Sequence, residues 1–331
     1  MAVSADQFDL PRVLDPGFSR ADRIFHGSAR SIAILVLVIF GSIGVFLGYQ
    51  AIPTFHRYGL RFLTEHDWNP GLNKIGISAT MLGTVEVALV ALVIAFPLAL
   101  GTALFVSEYA PPRIKSTLVA LIDLMAGVPS IVYGAWGFFL LQPYASYVGR
   151  WLHQNLGFIP IFKVDTDPHA AIWAQSRYYG SAFIAGVCVA MMVLPIACAV
   201  MRGVFSQSPL GEREAAYALG ATKWGMIRSV VLPFGRGGII GGTMLGLGRA
   251  LGETVAVAII LSQAFDIKFR ILESGQNTIS KLIAERFGDA TTVQLAALLT
   301  AGFVLFLMTL LVNTIAAVFI NRSRSGATTE I

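Results

Sequence analysis

The sequence predicts an all-α integral membrane protein with six transmembrane helices, and three observations carry that prediction. Of the 331 residues, 55% are hydrophobic and 13% charged, whereas a soluble domain carries about 25% charged residues. The mean hydropathy is +0.70. Six apolar runs, about 31–52, 77–106, 117–141, 180–203, 237–264 and 294–319, each supply the roughly 20 residues a helix needs to cross a bilayer core. This composition excludes an ordinary soluble enzyme and a disordered chain.

The first run follows a polar segment and is too long for the apolar stretch of a secretory signal, with no small-x-small site after it, so it reads as a retained helix. The runs divide the chain into a cytoplasmic N-terminal tail (1–30), a first transmembrane helix with its outer loop (31–75), a main transmembrane domain (76–320) and a cytoplasmic C-terminal tail (321–331). With the N-terminus inside, the inner segments carry thirteen Lys and Arg and the outer loops ten, with Arg249 completing the 24; that bias favours the orientation weakly. The pI near 9.3 comes from cations scattered over short connectors, which suits anionic membrane surfaces rather than nucleic acid.

The second run contains Glu86 and the third contains Asp123, about two turns from the inner end of its helix. An intramembrane charge costs about 2.5–3.5 kcal/mol at a helix centre, so it needs a partner or a role. Glu86 is expected to reach Arg249 across helices. The third run reads Gly127-Val128-Pro129-Ser130-Ile131-Val132-Tyr133-Gly134. Pro129 removes a backbone donor and kinks the helix, Gly127 and Gly134 leave it flexible, Ser130 can re-satisfy the freed groups, and a broken helix of this kind suits a gate. The loop after it, about 142–179, holds Tyr144, Tyr147, Trp151, Trp173, Tyr178 and Tyr179, rings that suit an interfacial layer or simply fill the loop.

Between the fourth and fifth runs lies an inner loop, about 204–236, that reads as helix–turn–helix. Ser208 is the expected N-cap with Pro209 at the first helical position. Gly220 stops the first helix, Thr222 caps a second through about Val231, and Pro233 opens the next membrane segment. Ala215, Ala216 and Gly220 leave room for a partner's groove.

In the fifth run Arg249 falls about 18 Å past Gly237 along a helix, and Glu253, four residues on, is expected on the same face. Two readings stay open: the pair neutralises itself inside the bundle, or Arg249 faces a water-filled path and contacts an oxyanion through its two-pronged donor while Glu253 orients it. Gly238, Gly242 and Gly246, with Gly248 and Gly252, form small-residue faces on which a second subunit is expected to pack. Cys188 and Cys198 share one apolar run, and no two histidines have metal-ligand spacing, so neither a disulfide framework nor a metal site is expected.

Glu214-Ala215-Ala216, Gly220, Val230 and Leu232-Pro233 stand at the spacings of the "EAA" motif of ABC importer permeases; the single departure is Val230 where the motif has Ile. Together with Ser107-Glu-Tyr-Ala-Pro111, Gly127 to Gly134 and Gly242 to Thr254, the stretch from about Thr80 to Phe319 resembles the C-type permease subunits of phosphate-specific ABC transporters. The resemblance implies the type I, MetI-like importer fold and no enzymatic activity or cofactor in this chain. No GxxxxGK[ST] loop is present, in agreement. It further implies docking to an ATP-binding subunit through Glu214, Ala215, Ala216, Gly220, Leu232 and Pro233. Translocation would run past Arg249 and Glu253, with Glu86 and Asp123 as further pathway candidates and Gly127, Pro129, Ser130 and Tyr133 at a gate. The implied partners are a second, A-type permease, two ATP-binding subunits, an extracytoplasmic phosphate-binding protein, phosphate and the bilayer of the bacterial inner membrane. A permease for sulfate or molybdate, or a channel or secondary transporter, are the alternatives.

Overall fold

The computed structural model describes residues 20–165 and 175–323, with side chains described from Ala21 to Val318. Trp173, most of the N-terminal tail and most of the C-terminal tail lie outside these residues. The chain divides into two compact units, residues 1–46 and 47–331. In the first, helix α1 (Arg20–Tyr58) is unbroken as far as Phe46, and its apolar side chains, among them Phe25, Leu37 and Val45, are exposed. Lipid is the solvent that makes such a surface stable.

The second unit holds the end of α1 and all later elements. They are α2 (Arg61–Thr64), a two-stranded antiparallel ribbon β1 (Trp68–Asn69) and β2 (Lys74–Ile75), α3 (Ser78–Leu104), α4 (Pro112–Gly127), α5 (Ser130–Trp136), α6 (Gln142–Leu156), α7 (Ala182–Phe205), α8 (Leu210–Ala218), α9 (Lys223–Met226), α10 (Leu232–Phe234), α11 (Arg236–Leu251), α12 (Val255–Ile260), α13 (Ile279–Arg286) and α14 (Thr292–Ser323). Four helical stretches are long and apolar enough to cross a membrane unbroken: Ala21–Tyr58, Ser78–Tyr109, Ala182–Phe205 and Thr292–Val318. Two more form only as bent pairs, Pro112–Gly127 with Ser130–Leu156 at 90° and Lys223–Phe234 with Arg236–Leu251 at 66°.

The centre of the bundle is α3 against α7. Ala91, Ala95, Ala99 and Ala103 recur every fourth residue of α3, and all are 0–1% exposed. They share one face and bring the backbones together. On α7, Gly186 meets Val90 so closely that a Cβ would lie 2.5 Å from its Cγ1.

The glycines of α11 continue the same logic on the other side of α7, and here the expectation is corrected. A Cβ at Gly238, Gly242 or Gly246 would meet Val204 at 2.5 Å, the Ala197 carbonyl at 2.9 Å and Val193 at 2.5 Å. This small-residue face is consumed within the chain, by α7, and does not wait for a second subunit. Gly248 lies toward Asn313 of α14, 3.6 Å from a built Cβ.

The third run breaks where Pro129 is expected to interrupt it: α4 ends at Gly127, the chain turns through Val128 and Pro129, and the bend is 90°. One further correction concerns continuity. The fifth run is not one helix from 237 to 264; α11 stops at Leu251, and α12 begins after Gly252-Glu253-Thr254. Of the loop aromatics, Tyr144, Tyr147 and Trp151 lie exposed along α6, whereas Tyr178 is buried with Val164 and Leu272.

The glycine ladder is testable in detergent-solubilised protein. Gly246→Val should lower unfolding stability by about 1–3 kcal/mol through overpacking against Val193. Gly101→Ala, where a Cβ meets nothing within 4 Å, should be neutral or stabilising. Equal thermal shifts in the two variants would contradict this account.

Candidate functional site

The sequence-predicted residues fall into three groups along the bundle. The first is the elbow between α7 and α11. Helix α8 starts one residue later than expected, with Pro209 in the N-cap position and Leu210 first in the helix. Ser208 is not the cap; its hydroxyl oxygen accepts a hydrogen bond from Arg213 Nε at 3.2 Å. The C-terminus follows the sequence reading. Gly220 has φ +83°, its N–H bonds the Tyr217 carbonyl at 2.9 Å, and the Ala221 N–H bonds the Ala216 carbonyl at 3.0 Å. That pair of bonds, closed by a left-handed residue, is a Schellman stop. Thr222 then caps α9 by accepting the Gly225 N–H at 3.1 Å.

Helix α9, a π-helical turn (Ile227–Val231) and α10 run on to Phe234. Val230 and Val231 are buried, Leu232 packs beside them, and Pro233 is exposed. Glu214, Ala215 and Gly220 are exposed, while Ala216 is half-buried against the cluster formed by Val106, Phe205 and Met226. One face of α8 is therefore anchored, and the face with Glu214 and Ala215 is open. Gly235, at the bend into α11, sits against the Phe205 ring, 2.3 Å from where a Cβ would stand.

The second group lies where both bent spans break. Pro129 has no N–H for the Met125 carbonyl four residues back. The Tyr133 hydroxyl donates to that carbonyl at 3.0 Å, the role expected of Ser130. Helices α5 and α12 run side by side: a Cβ at Gly134 would lie 2.8 Å from Ala256 Cα, and one at Gly137 would lie 2.7 Å from Ile260. That register places the Val128–Pro129 break beside the Gly252–Thr254 break.

Arg249 occupies the last turn of α11, exposed, its carbonyl accepting the Gly252 N–H at 3.2 Å and its guanidinium without a hydrogen bond or ion pair among the described residues. Glu253 lies beyond the helix end, so the expected shared face with Arg249 does not exist. Its side chain is buried and accepts the Ala256 N–H at 3.4 Å, at the start of α12. The cation thus lies at the negative end of one helix and the carboxylate at the positive end of the next, and neither neutralises the other through an ion pair.

The third group was expected to join the second and does not. Glu86 is buried near the start of α3, where it accepts a 2.7 Å hydrogen bond from Gln276 Nε2 and not from Arg249. Gln276 also accepts the Ala182 N–H at 2.8 Å, so this glutamate fastens the segment before α13 to α3 and α7. Asp123, 56% exposed, pairs with Arg202 at 3.6 Å between α4 and α7.

Three connected groups escaped the sequence reading. They are Gln276, Lys281, and the pair Glu108–Arg213, whose guanidinium meets the carboxylate at 2.9 and 3.2 Å. The Lys281 ammonium is buried, donates to the Leu261 carbonyl and lies 3.5 Å from Glu285; burial pushes its pKa down and Glu285 partly offsets this. Only the Glu108–Arg213 pair had a local signal, since each residue adjoins a stretch already singled out.

With this geometry in place, comparison with known proteins is decisive. Residues 95–325 match the model of the family described as binding-protein-dependent transport system inner membrane component. The chain belongs to this family of permeases. Among curated members, the phosphate transport system permease protein PstC 2 of Mycobacterium tuberculosis is 37% identical over 301 residues, covering 90% of this chain and 91% of its own. The phosphate transport system permease protein PstC of Mesorhizobium japonicum is 37% identical over 320 residues, 94% of each chain. Among solved permease structures, a chain of a bacterial alginate ABC transporter superposes with TM-score 0.57 at 15% identity, covering 93% of this chain and 97% of its own. A chain of the MetNI methionine ABC transporter superposes with TM-score 0.53 at 13% identity over 75% of this chain and 95% of its own. The fold is that of the MetI-like importer permeases, and the protein is a multi-pass inner-membrane protein.

The fastening role of Glu86 predicts that Gln276→Leu, which leaves its carboxylate buried without that donor, destabilises the solubilised permease by about 1.5–3 kcal/mol. The Glu86→Gln, Gln276→Leu double variant should recover part of the loss. No loss in the single variant would contradict the role.

Proposed function

We propose that this chain is the C-type permease subunit of an ATP-driven inorganic phosphate importer. It would cross the membrane six times, the two bent pairs each counting as one span, with both termini cytoplasmic. The observation that carries the mechanism is the coexistence, in one chain of this family, of an exposed Arg249 at a helix break, its guanidinium unpaired among the described residues, with an elbow whose Glu214–Ala215 face is open. The substrate rests on the relatives, which are named phosphate transport permeases.

In this reading the elbow within 204–236 docks to an ATP-binding subunit, with Glu214, Ala215, Ala216 and Gly220 at the contact and Leu232-Pro233 carrying the motion into α11. A second, A-type permease completes the path, two ATP-binding subunits supply the energy, and an extracytoplasmic binding protein delivers phosphate. Hydrolysis belongs to those partners, and the chain itself needs no cofactor.

Arg249 offers phosphate two parallel N–H donors. Because no carboxylate among the described residues pairs with its guanidinium, its charge is available to the passing anion. Glu253, held at the start of α12, fixes the break on which Arg249 stands. Gly127, Pro129, Ser130 and Tyr133 form the neighbouring hinge, and closure of the ATPase pair would bend the bundle at these two adjacent breaks. Glu86 and Asp123 act as fasteners at its ends.

Arg249→Ala should reduce labelled phosphate uptake by about a hundredfold or more while the ATP-binding subunit still co-purifies; wild-type uptake would sink the reading. Excess sulfate should leave wild-type uptake unchanged, and competition by sulfate would reassign the substrate. Gly220→Trp, forced into a left-handed conformation at a cost of about 1–2 kcal/mol, should abolish stimulation of ATP hydrolysis by the loaded binding protein.

A further inference from the structure

At the elbow end of the bundle the chain makes a connection that the docking motif does not contain. Helix α3 finishes in a π-helical turn, Phe105–Tyr109, closed by the Ala110 N–H on the Phe105 carbonyl at 2.8 Å. Within that turn the Glu108 side chain is 4% exposed and meets Arg213 of α8, itself 19% exposed. Arg213 Nη2 donates to Glu108 Oε1 at 2.9 Å and to the Phe205 carbonyl at 2.8 Å. Its Nη1 donates to Glu108 Oε2 at 3.2 Å, and its Nε donates to Ser208 Oγ at 3.2 Å. All three nitrogens are engaged, and they join the ends of α3 and α7 to α8. The next residue of the same turn is held by the other helix of the elbow, with Lys223 Nζ 4.7 Å from the Tyr109 ring centroid.

We propose that Arg213 is a positioning residue for transport, and that its forked bond to Glu108 latches α3 to the docking helix so that the two move as one body. The proposal rests on the reading of α8 as the helix that meets the ATPase, and it names a second route for the force. Leu232-Pro233 leads into α11, whereas Arg213 leads directly into α3. A single-point contact would let α8 swivel. A planar two-pronged bond resists both rotation and sliding, and the ring contact at Tyr109 adds a second fixed point. From the latch, α3 runs 27 residues, about 40 Å at 1.5 Å per residue. Its alanine ladder lies against α7, and Glu86 near its far end grips Gln276. A push on α8 is thereby delivered to the opposite end of the bundle.

The test uses the complete complex in proteoliposomes: both permeases, the ATP-binding subunits and the binding protein. It reads labelled inorganic phosphate carried per ATP hydrolysed. Arg213→Lys keeps the charge and loses the fork, and Glu108→Gln keeps the shape and loses the charge. Both should retain the ATP-binding subunit and basal hydrolysis while phosphate carried per ATP falls about tenfold. A pair that only supports the fold would lower uptake and hydrolysis together and leave their ratio unchanged; that result, or wild-type rates, overturns the proposal. If either single variant fails to assemble, the Arg213→Met, Glu108→Leu double variant replaces the pair with apolar groups of similar volume. Its assembled complex should be uncoupled; a coupled complex, or failure of this variant to assemble, overturns the latch. Crosslinking from Ala215→Cys to the ATP-binding subunit in the otherwise wild-type chain separates the two levels. Without that crosslink the docking reading itself fails, whereas a crosslink together with normal coupling in Arg213→Lys rejects the latch alone.

Discussion

The approach of α3 to α7 across an alanine ladder positions the elements that carry function. In lipid the apolar side chains gain little from meeting each other, so helices associate where backbones can come close and dispersion contacts are dense. Ala91 to Ala103 on α3 provide that closeness on one side of α7, and Gly238, Gly242 and Gly246 of α11 provide it on another. Helix α7 is thereby enclosed along its length, with Cys188, Val193 and Phe205 essentially buried. Outside this inner sandwich lie, among other exposed surfaces, the face of α8 with Glu214 and Ala215 and the break after Arg249.

Those breaks obey the same constraint from the opposite direction. A helix interrupted within a membrane protein must find partners for the backbone groups it frees. At Pro129 the Met125 carbonyl accepts both the Tyr133 hydroxyl and the Val128 N–H, and at Glu253 a carboxylate receives an N–H at the start of α12. Both solutions are local, and both leave the flanking helices tied to each other by a few bonds rather than a continuous ladder. The bundle is continuous along α3 and α7 and interrupted along α4–α5 and α11–α12, and the breaks adjoin because Gly134 in α5 and Gly137 just beyond it let this segment approach α12.

The sequence made legible what local chemistry decides. The first, second, fourth and sixth apolar runs, the Gly220 stop and the Thr222 cap are properties of neighbouring residues, and each appears where it was read. The failures involve distance. Nothing within ten residues of Gly246 says that its partner is Val193 rather than another chain. A fifth run that is apolar throughout does not reveal that Gly252 ends a helix, because hydropathy is blind to a break. Glu86 was assigned to Arg249 because both are buried-type charges in spans; its actual partner, the neutral Gln276, sits in a polar connector with no such mark. Glu108 and Arg213 were both in view, yet 105 residues separate them, and pairing over that distance is a consequence of the fold.

The two misread charges bear on one another. Had Arg249 and Glu253 faced each other one turn apart, an anion would have had to displace a carboxylate to reach the guanidinium. With the helix ended at Leu251, each charge instead opposes a helix terminus, which costs the bundle less than an isolated ion would and leaves the cation exposed. The interruption of the backbone therefore separates a cation from the nearest anion in sequence, which a continuous fifth helix would have held one turn away on the same face.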